Sequence, residues 1–224
     1  MKNNSELQKD IQESIKWIPL LKNTEIGVSV NNGIVTLTGT VDSYSQKVEA
    51  ENATKYVAGV KAVVEKIVIK FKTGTAVKDD NELAREIINV YRWNRLVPRD
   101  KIRVKVENGW ITLEGEVQWN YQREAARDTL INILDVVGVS NNITLKPQIQ
   151  DNIEKHDIEN ALQRNWTINN KDIAVKVNGN TIKLTGTVNS WFQRDEAARI
   201  AWNAPGVFFV DNELKVNYDY SMPD

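Results

Sequence analysis

Cysteine is absent from this chain, and histidine occurs once, at position 156. Without cysteine there is no disulfide framework, no zinc–thiolate site and no thiol chemistry, while the redox compartment stays open. Neither sign of charge dominates: 29 Lys and Arg stand against 30 Asp and Glu, for a formal net charge of -1. That balance argues against a protein that coats nucleic acid. No apolar run approaches the roughly 18 residues of a membrane-spanning helix. The first residues, Met1-Lys2-Asn3-Asn4-Ser5-Glu6, contain no apolar stretch of the kind export signals use, so the residues as they stand point to the cytoplasm. What is present, 41% apolar and 26% charged residues, suits a folded soluble protein.

The dominant feature is an internal repeat. Asn32-Gly33-Ile34-Val35-Thr36-Leu37-Thr38-Gly39-Thr40-Val41 returns as Asn108-Gly109-Trp110-Ile111-Thr112-Leu113-Glu114-Gly115-Glu116-Val117, and again as Gly179-Asn180-Thr181-Ile182-Lys183-Leu184-Thr185-Gly186-Thr187-Val188. Aligned on Gly39, Gly115 and Gly186, the match continues both ways without a gap. Upstream lie Ile11, Ile87 and Ile158; downstream lie Gln46, Gln122 and Gln193, then Ala50, Ala126 and Ala197, then Val60, Val136 and Val207. The spacing predicts three tandem domains at 5–71, 79–147 and 151–218, each the size of a very small domain.

Each unit reads helix, strand, strand, helix, strand. The first helix is expected to start at Ser5-x-x-Gln8, Asp79-x-x-Glu82 or Asp151-x-x-Glu154, where side-chain oxygens can satisfy free backbone N–H groups. Leu7, Ile11, Ile15 and Ile18 share one helical face. The strands alternate apolar and polar residues, which buries one sheet face. Asn32-Gly33 and Asn108-Gly109 are hairpin signals, since both residue types tolerate positive φ. Ser43-x-x-Gln46 and Ser190-x-x-Gln193 start the second helix, whose inner stripe is small, with Ala50, Ala53 and Val57 in unit one. The expected class is α+β, with three small αββαβ domains, each a three-stranded sheet carrying two helices on one face.

This order, with its Asn-Gly, Leu-x-Gly-x-Val and Gly-Val signals, resembles the BON domain family of bacterial osmotically induced and envelope proteins. The carriers are Gly39-x-Val41, Gly115-x-Val117 and Gly186-x-Val188, with Gly59-Val60 and Gly206-Val207 after the second helix. The resemblance implies a non-enzymatic protein, without cofactor, that attaches to membrane phospholipid or another envelope component, often under stress. It also implies a periplasmic location once an export signal has been removed. Unit two departs at Asp135, where the others have Gly59 and Gly206, so its turn is expected to use Gly138 instead.

Catalysis has few candidates. His156 sits in a polar helical stretch and reads as a solvated position; Glu114 and Glu116 read as a solvated strand face. No metal-ligand cluster, nucleophile motif or phosphate loop is present. The positions singled out for binding lie where the second strand feeds the second helix: Tyr44 and Lys47; Trp119, Tyr121 and Arg123; Trp191, Phe192 and Arg194. Rings beside cations suit a lipid headgroup boundary. The competing reading folds these rings onto their own sheet or the next unit. Trp17 and Trp93 share one register near the end of the first helix and are expected to pack on the domain edge; Trp110 is expected to be exposed. Two other functions stand beside lipid attachment. One is a protein-interaction scaffold. The other is a KH-like RNA-binding protein, which lacks support because no Gly-x-x-Gly loop joins two helices.

Overall fold

The computed structural model describes residues 2–71, 77–146, 155–165, 168 and 172–217. Unit one contains α1 (Asn4–Trp17), β1 (Glu25–Asn31), β2 (Ile34–Val41), α2 (Tyr44–Lys55) and β3 (Ala62–Ile69). Unit two contains α3 (Asp80–Trp93), β4 (Ile102–Glu107), β5 (Trp110–Val117), α4 (Asn120–Ile131) and β6 (Gly138–Leu145). Unit three contains α5 (Lys155–Arg164), β7 (Ile173–Asn178), β8 (Thr181–Val188), α6 (Trp191–Trp202) and β9 (Phe209–Val216). The class is α+β, in three αββαβ units.

The sheets are separate, ordered β1-β2-β3, β4-β5-β6 and β7-β8-β9. In each, the hairpin is antiparallel, and the second helix carries the chain over to a last strand parallel to the central one. Each unit has its own core. In unit one, Leu7, Ile11 and Ile15 of α1 meet Val35, Leu37 and Val41 of β2 and Ala50 of α2. Burying each large aliphatic side chain contributes about 1.5–3 kcal/mol. The small stripe recurs as Ala126 on α4 and as Ala197 and Ala201 on α6, and it lets each helix lie close to its sheet.

Gly39, Gly115 and Gly186 repeat for a steric reason. Each has positive φ, at 127°, 139° and 124°. A Cβ at these positions would collide with the carbonyl oxygens of Glu25, Lys101 and Asp172 at the start of the neighbouring strand. The hairpin turns use Asn32 and Gly33, and Asn108 and Gly109, all at positive φ. The first helix holds these turns: Asn4 Oδ1 accepts from the Asn32 N–H, and the Asp80 carboxylate accepts from the Asn108 and Gly109 N–H groups.

Two expectations are corrected. Helix α1 starts earlier than the Ser5 signal suggested: Asn3 Oδ1 caps Glu6 N at 2.8 Å, and Glu6 returns a bond to Asn3 N. The Asp79–Glu82 box forms as expected, while Asp151-x-x-Glu154 lies outside the described residues. In unit two the turn after the second helix does not move to Gly138, which sits in β6. Asp135 itself adopts positive φ, 71° against 108° at Gly59 and 80° at Gly206. Aspartate tolerates that region better than most side chains, and Asp135 Oδ2 also accepts from the Lys78 N–H.

One cross-strand pair exchanges its sizes among the units. Ile34 faces Ala62, Trp110 faces Gly138, and Thr181 faces Phe209. In unit two the Trp110 ring lies over Gly138, with its indole N–H donating to Ser140 Oγ at 2.9 Å. Each unit thus puts one large residue on the open sheet face at the hairpin end, and Trp110 is half-exposed.

Candidate functional site

The junction between the second strand and the second helix is tied down by backbone hydrogen bonds. Ser43 and Ser190 cap their helices by accepting from Gln46 N and Gln193 N. Gln46 Oε1 and Gln193 Oε1 accept from the N–H groups of Asp42 and Asn189, each at 2.8 Å. In unit two Trp119 stands at the cap and supplies no side-chain acceptor; Gln122 Oε1 accepts from both Gln118 N and Trp119 N. The glutamines that repeat in all three units are therefore occupied in turn formation.

The rings divide into two sets. Tyr44 packs against the core of unit two. Burial raises its hydroxyl pKa above the usual tyrosine value, opposed by a backbone hydrogen bond with Val139. Trp191 turns toward unit one, where its indole N–H donates to the Val60 carbonyl at 2.8 Å. Beside it, Phe192 meets Tyr56 edge-on, with centroids 5.8 Å apart. Lys55 of unit one pairs with Asp195 of unit three and lies 5.6 Å from the Trp191 ring. By contrast, Trp119 and Tyr121 of unit two are exposed, and Phe192 keeps an exposed edge.

The three cations of the predicted set are engaged. Lys47 pairs with Glu65 at 2.8 Å and donates to the Ile67 carbonyl. Arg194 donates to the carbonyls of Leu214 and Asn212 and lies 5.1 Å from the Trp191 ring centre. Arg123 lies 4.6 Å over the Trp202 ring of unit three, close to Glu124. The contacts form a cycle: Tyr44 of unit one on unit two, Arg123 of unit two on unit three, Trp191 of unit three on unit one. At the register of Tyr44 and Trp191, unit two has Asn120. Its Oδ1 is buried without a hydrogen-bond partner among the described residues.

Trp17 and Trp93 correct another expectation. They do not pack on the domain edge; they are 88% and 84% exposed. A short turn after the helix buries Leu21 in unit one, and Val97 is buried at the same register in unit two, while Leu20 and Leu96 face outward beside the tryptophans. Lys16 and Lys22 flank the first knob, and Arg92 and Arg95 flank the second; all four are exposed. The signal was in the sequence. Trp17 lies two residues after the buried Ile15, hence about 200° around the helix from the apolar stripe. Unit three has Arg164 at this position.

The remaining candidates are solvated. His156 is exposed on α5, and Glu114 and Glu116 are exposed on β5. Among the described residues, no group of three or more His, Cys, Asp or Glu is placed to hold a metal ion. Nor is any helix among them long and apolar enough to cross a membrane.

A family model for the BON domain matches the chain three times, at residues 3–70, 79–147 and 150–218. The chain is similar to the osmotically-inducible protein Y of Escherichia coli strain K12, with 29% identity over 129 residues, 56% of this chain and 64% of that protein. It thus spans less than two thirds of that relative's length. Among solved structures it is similar to the C-terminal domain of CdsD, the structural protein of the type III secretion system of Chlamydia trachomatis. Identity there is 17%, coverage is 96% of this chain and 100% of that one, and the TM-score is 0.24. A second CdsD structure matches at 16% identity with the same TM-score. Superpositions this loose carry no argument about shape or role.

Proposed function

The chain belongs to the BON domain family, and from that premise we propose that it is a non-enzymatic tandem binding protein that attaches to anionic phospholipid at the bacterial envelope surface under osmotic stress. One observation carries the reading: two tryptophans, Trp17 and Trp93, stand almost fully exposed at one register, each beside an outward leucine and flanked by cations. An amphipathic ring with an aliphatic neighbour suits the headgroup boundary, and adjacent Lys or Arg meets lipid phosphate. The exposed junction rings Trp119, Tyr121 and Phe192 extend the same contact. Tyr44 and Trp191 support it indirectly, by holding neighbouring units together, and Lys47, Arg123 and Arg194 fix the junctions. Two knobs on one chain bind together when geometry allows, so weak single contacts suffice.

The test is flotation of the full chain with vesicles of phosphatidylglycerol and phosphatidylethanolamine, with phosphatidylcholine vesicles as the neutral comparison. Trp17→Ala with Trp93→Ala is expected to weaken binding by at least about tenfold, since each buried ring contributes roughly 1.5–3 kcal/mol. The melting temperature should not change, because neither ring is in a core. Equal flotation of wild type and variant would remove this reading.

A further inference from the structure

Unit two differs from the other two units along one groove. In each unit the first helix runs beside the outer strand of the sheet, and β1, β4 and β7 are all edge strands, paired on one side only. In unit one, Gln8 on α1 reaches that edge: its Nε2 donates to the Val28 carbonyl at 2.8 Å. The Val28 carbonyl is therefore turned outward, away from β2. Val28 opposes Leu37, and Val104 opposes Leu113 in the same register, so the Val104 carbonyl is turned outward as well.

The residue standing where Gln8 stands is Ala84, which has no donor to offer. One helical turn further along, unit one has Gln12. Unit three has Glu159, paired at 3.1 Å with Lys155, itself at the register of Gln8. Unit two has Ile88, which is 53% exposed. Unit one thus caps this edge directly, and unit three carries an exposed ion pair at the same two helix positions. Unit two leaves an apolar lane beside an uncapped backbone. A groove of about 500 Å³ opens there, lined by Ile88, Ile102 and Val104 with Arg92 and Arg99. Asp100 is its one acidic lining residue, and it lies within 3.7 Å of Arg99.

We propose that this groove takes an extended acidic peptide segment of a partner protein, added to β4 as a fourth strand. The outward N–H and C=O groups of Val104 and Val106 and the Ile102 carbonyl supply the ladder, while the Ile102 N–H already donates to the Arg99 carbonyl. Ile88, Ile102 and Val104 receive every second side chain of the added strand. Arg92 and Arg99 select carboxylates, since a guanidinium binds a carboxylate through paired, charge-assisted hydrogen bonds. At these two registers unit one has Lys16 and Asn23, and unit three has Gln163 and Asn170, so the second cation belongs to unit two alone. The tryptophan knobs lie outside the groove lining, but Arg92 belongs to both surfaces, so Arg99, Ala84 and Ile88 are the positions that separate peptide binding from lipid attachment.

The experiment uses the full chain and a short fluorescent peptide of alternating valine and glutamate, with a valine–lysine peptide as the comparison. Binding is followed by anisotropy and located by amide hydrogen exchange. The expected result is binding of the glutamate peptide, with new protection on β4. Ala84→Gln and Ile88→Glu should each weaken it by about tenfold or more. Arg92→Gln with Arg99→Asn should abolish the preference for glutamate over lysine. All four substitutions import residues that the other units carry at the same register, so the fold should tolerate them, and thermal melts check this. Absence of binding, undiminished binding by Ala84→Gln, or protection on β1 or β7 in place of β4 would overturn the proposal. So would protection of β4 by phosphatidylglycerol vesicles and not by the peptide, which would assign the groove to a lipid surface.

Discussion

Units one and three begin their second helices on an aromatic ring, Tyr44 or Trp191, and unit two begins its own on an amide, Asn120. The two rings reach neighbouring units, Tyr44 against the core of unit two and Trp191 onto the Val60 carbonyl of unit one. At the contact between units two and three, Trp202 of unit three lies under Arg123, and Asn120 Oδ1 is buried without a hydrogen-bond partner among the described residues. One register position can therefore carry a bridge between units or a small buried amide, while each unit keeps the same αββαβ order. The repeat preserves each unit's own core, and the contacts between units differ.

The largest expected effect comes from removing a bridge. Trp191→Ala loses the hydrogen bond to Val60, the cation contacts with Lys55 and Arg194, and a large buried ring area. Destabilisation of about 3 kcal/mol is expected, and unit three should melt apart from the other two in calorimetry. A single transition at the wild-type temperature would show that the ring bridges nothing.

A smaller effect, of opposite sign, is expected at Asn120. Removing an unpartnered buried acceptor should raise stability, so Asn120→Ala is expected to gain about 1 kcal/mol, read as a higher melting temperature. A loss would mean that the amide holds the contact between units two and three together.

The smallest effect is a pH dependence at Tyr44, set against that of the buried Tyr91 of unit two, whose pKa burial also raises. Burial raises the pKa of Tyr44, and burial with the nearby Asp195 carboxylate raises that of Tyr56. A raised folded pKa means that the unfolded chain ionises first. The contribution is therefore complete below the ordinary tyrosine pKa of about 10 and is lost as pH rises through the folded value. Stability should decline above about pH 10, and Tyr44→Phe should make that decline shallower, the remainder coming from Tyr56 and Tyr91. Identical alkaline titrations of wild type and variant would show that Tyr44 is exposed to water.

The units were legible because repetition displays each constraint three times. The alternating strands, the Asn-Gly turns and the Leu7, Ile11 and Ile15 stripe all act over short sequence distances, and each appears in the structure at its expected place. The tryptophan knobs were equally local, since helical spacing alone turns Trp17 away from the stripe. Their shared register reflects shared exposure and not shared packing. Asp135 escapes the sequence pattern for a different reason: a glycine signal marks a conformation, and aspartate reaches the same positive φ without the glycine.

The sequence by itself determined three αββαβ units, the hairpin within each and the side of each element that faces its core, because those follow from periodicity and turn chemistry inside about seventy consecutive residues. Only the tertiary structure decided which rings stay in water. Trp191 and Val60 are far apart along the chain, as are Lys55 and Asp195, and no local pattern encodes their meeting. The same holds for the open edge of β4. Ala84 and Ile88 are unremarked helix residues until the fold lays them against a strand whose outward carbonyl, capped in unit one by Gln8, has no cap from the helix in unit two.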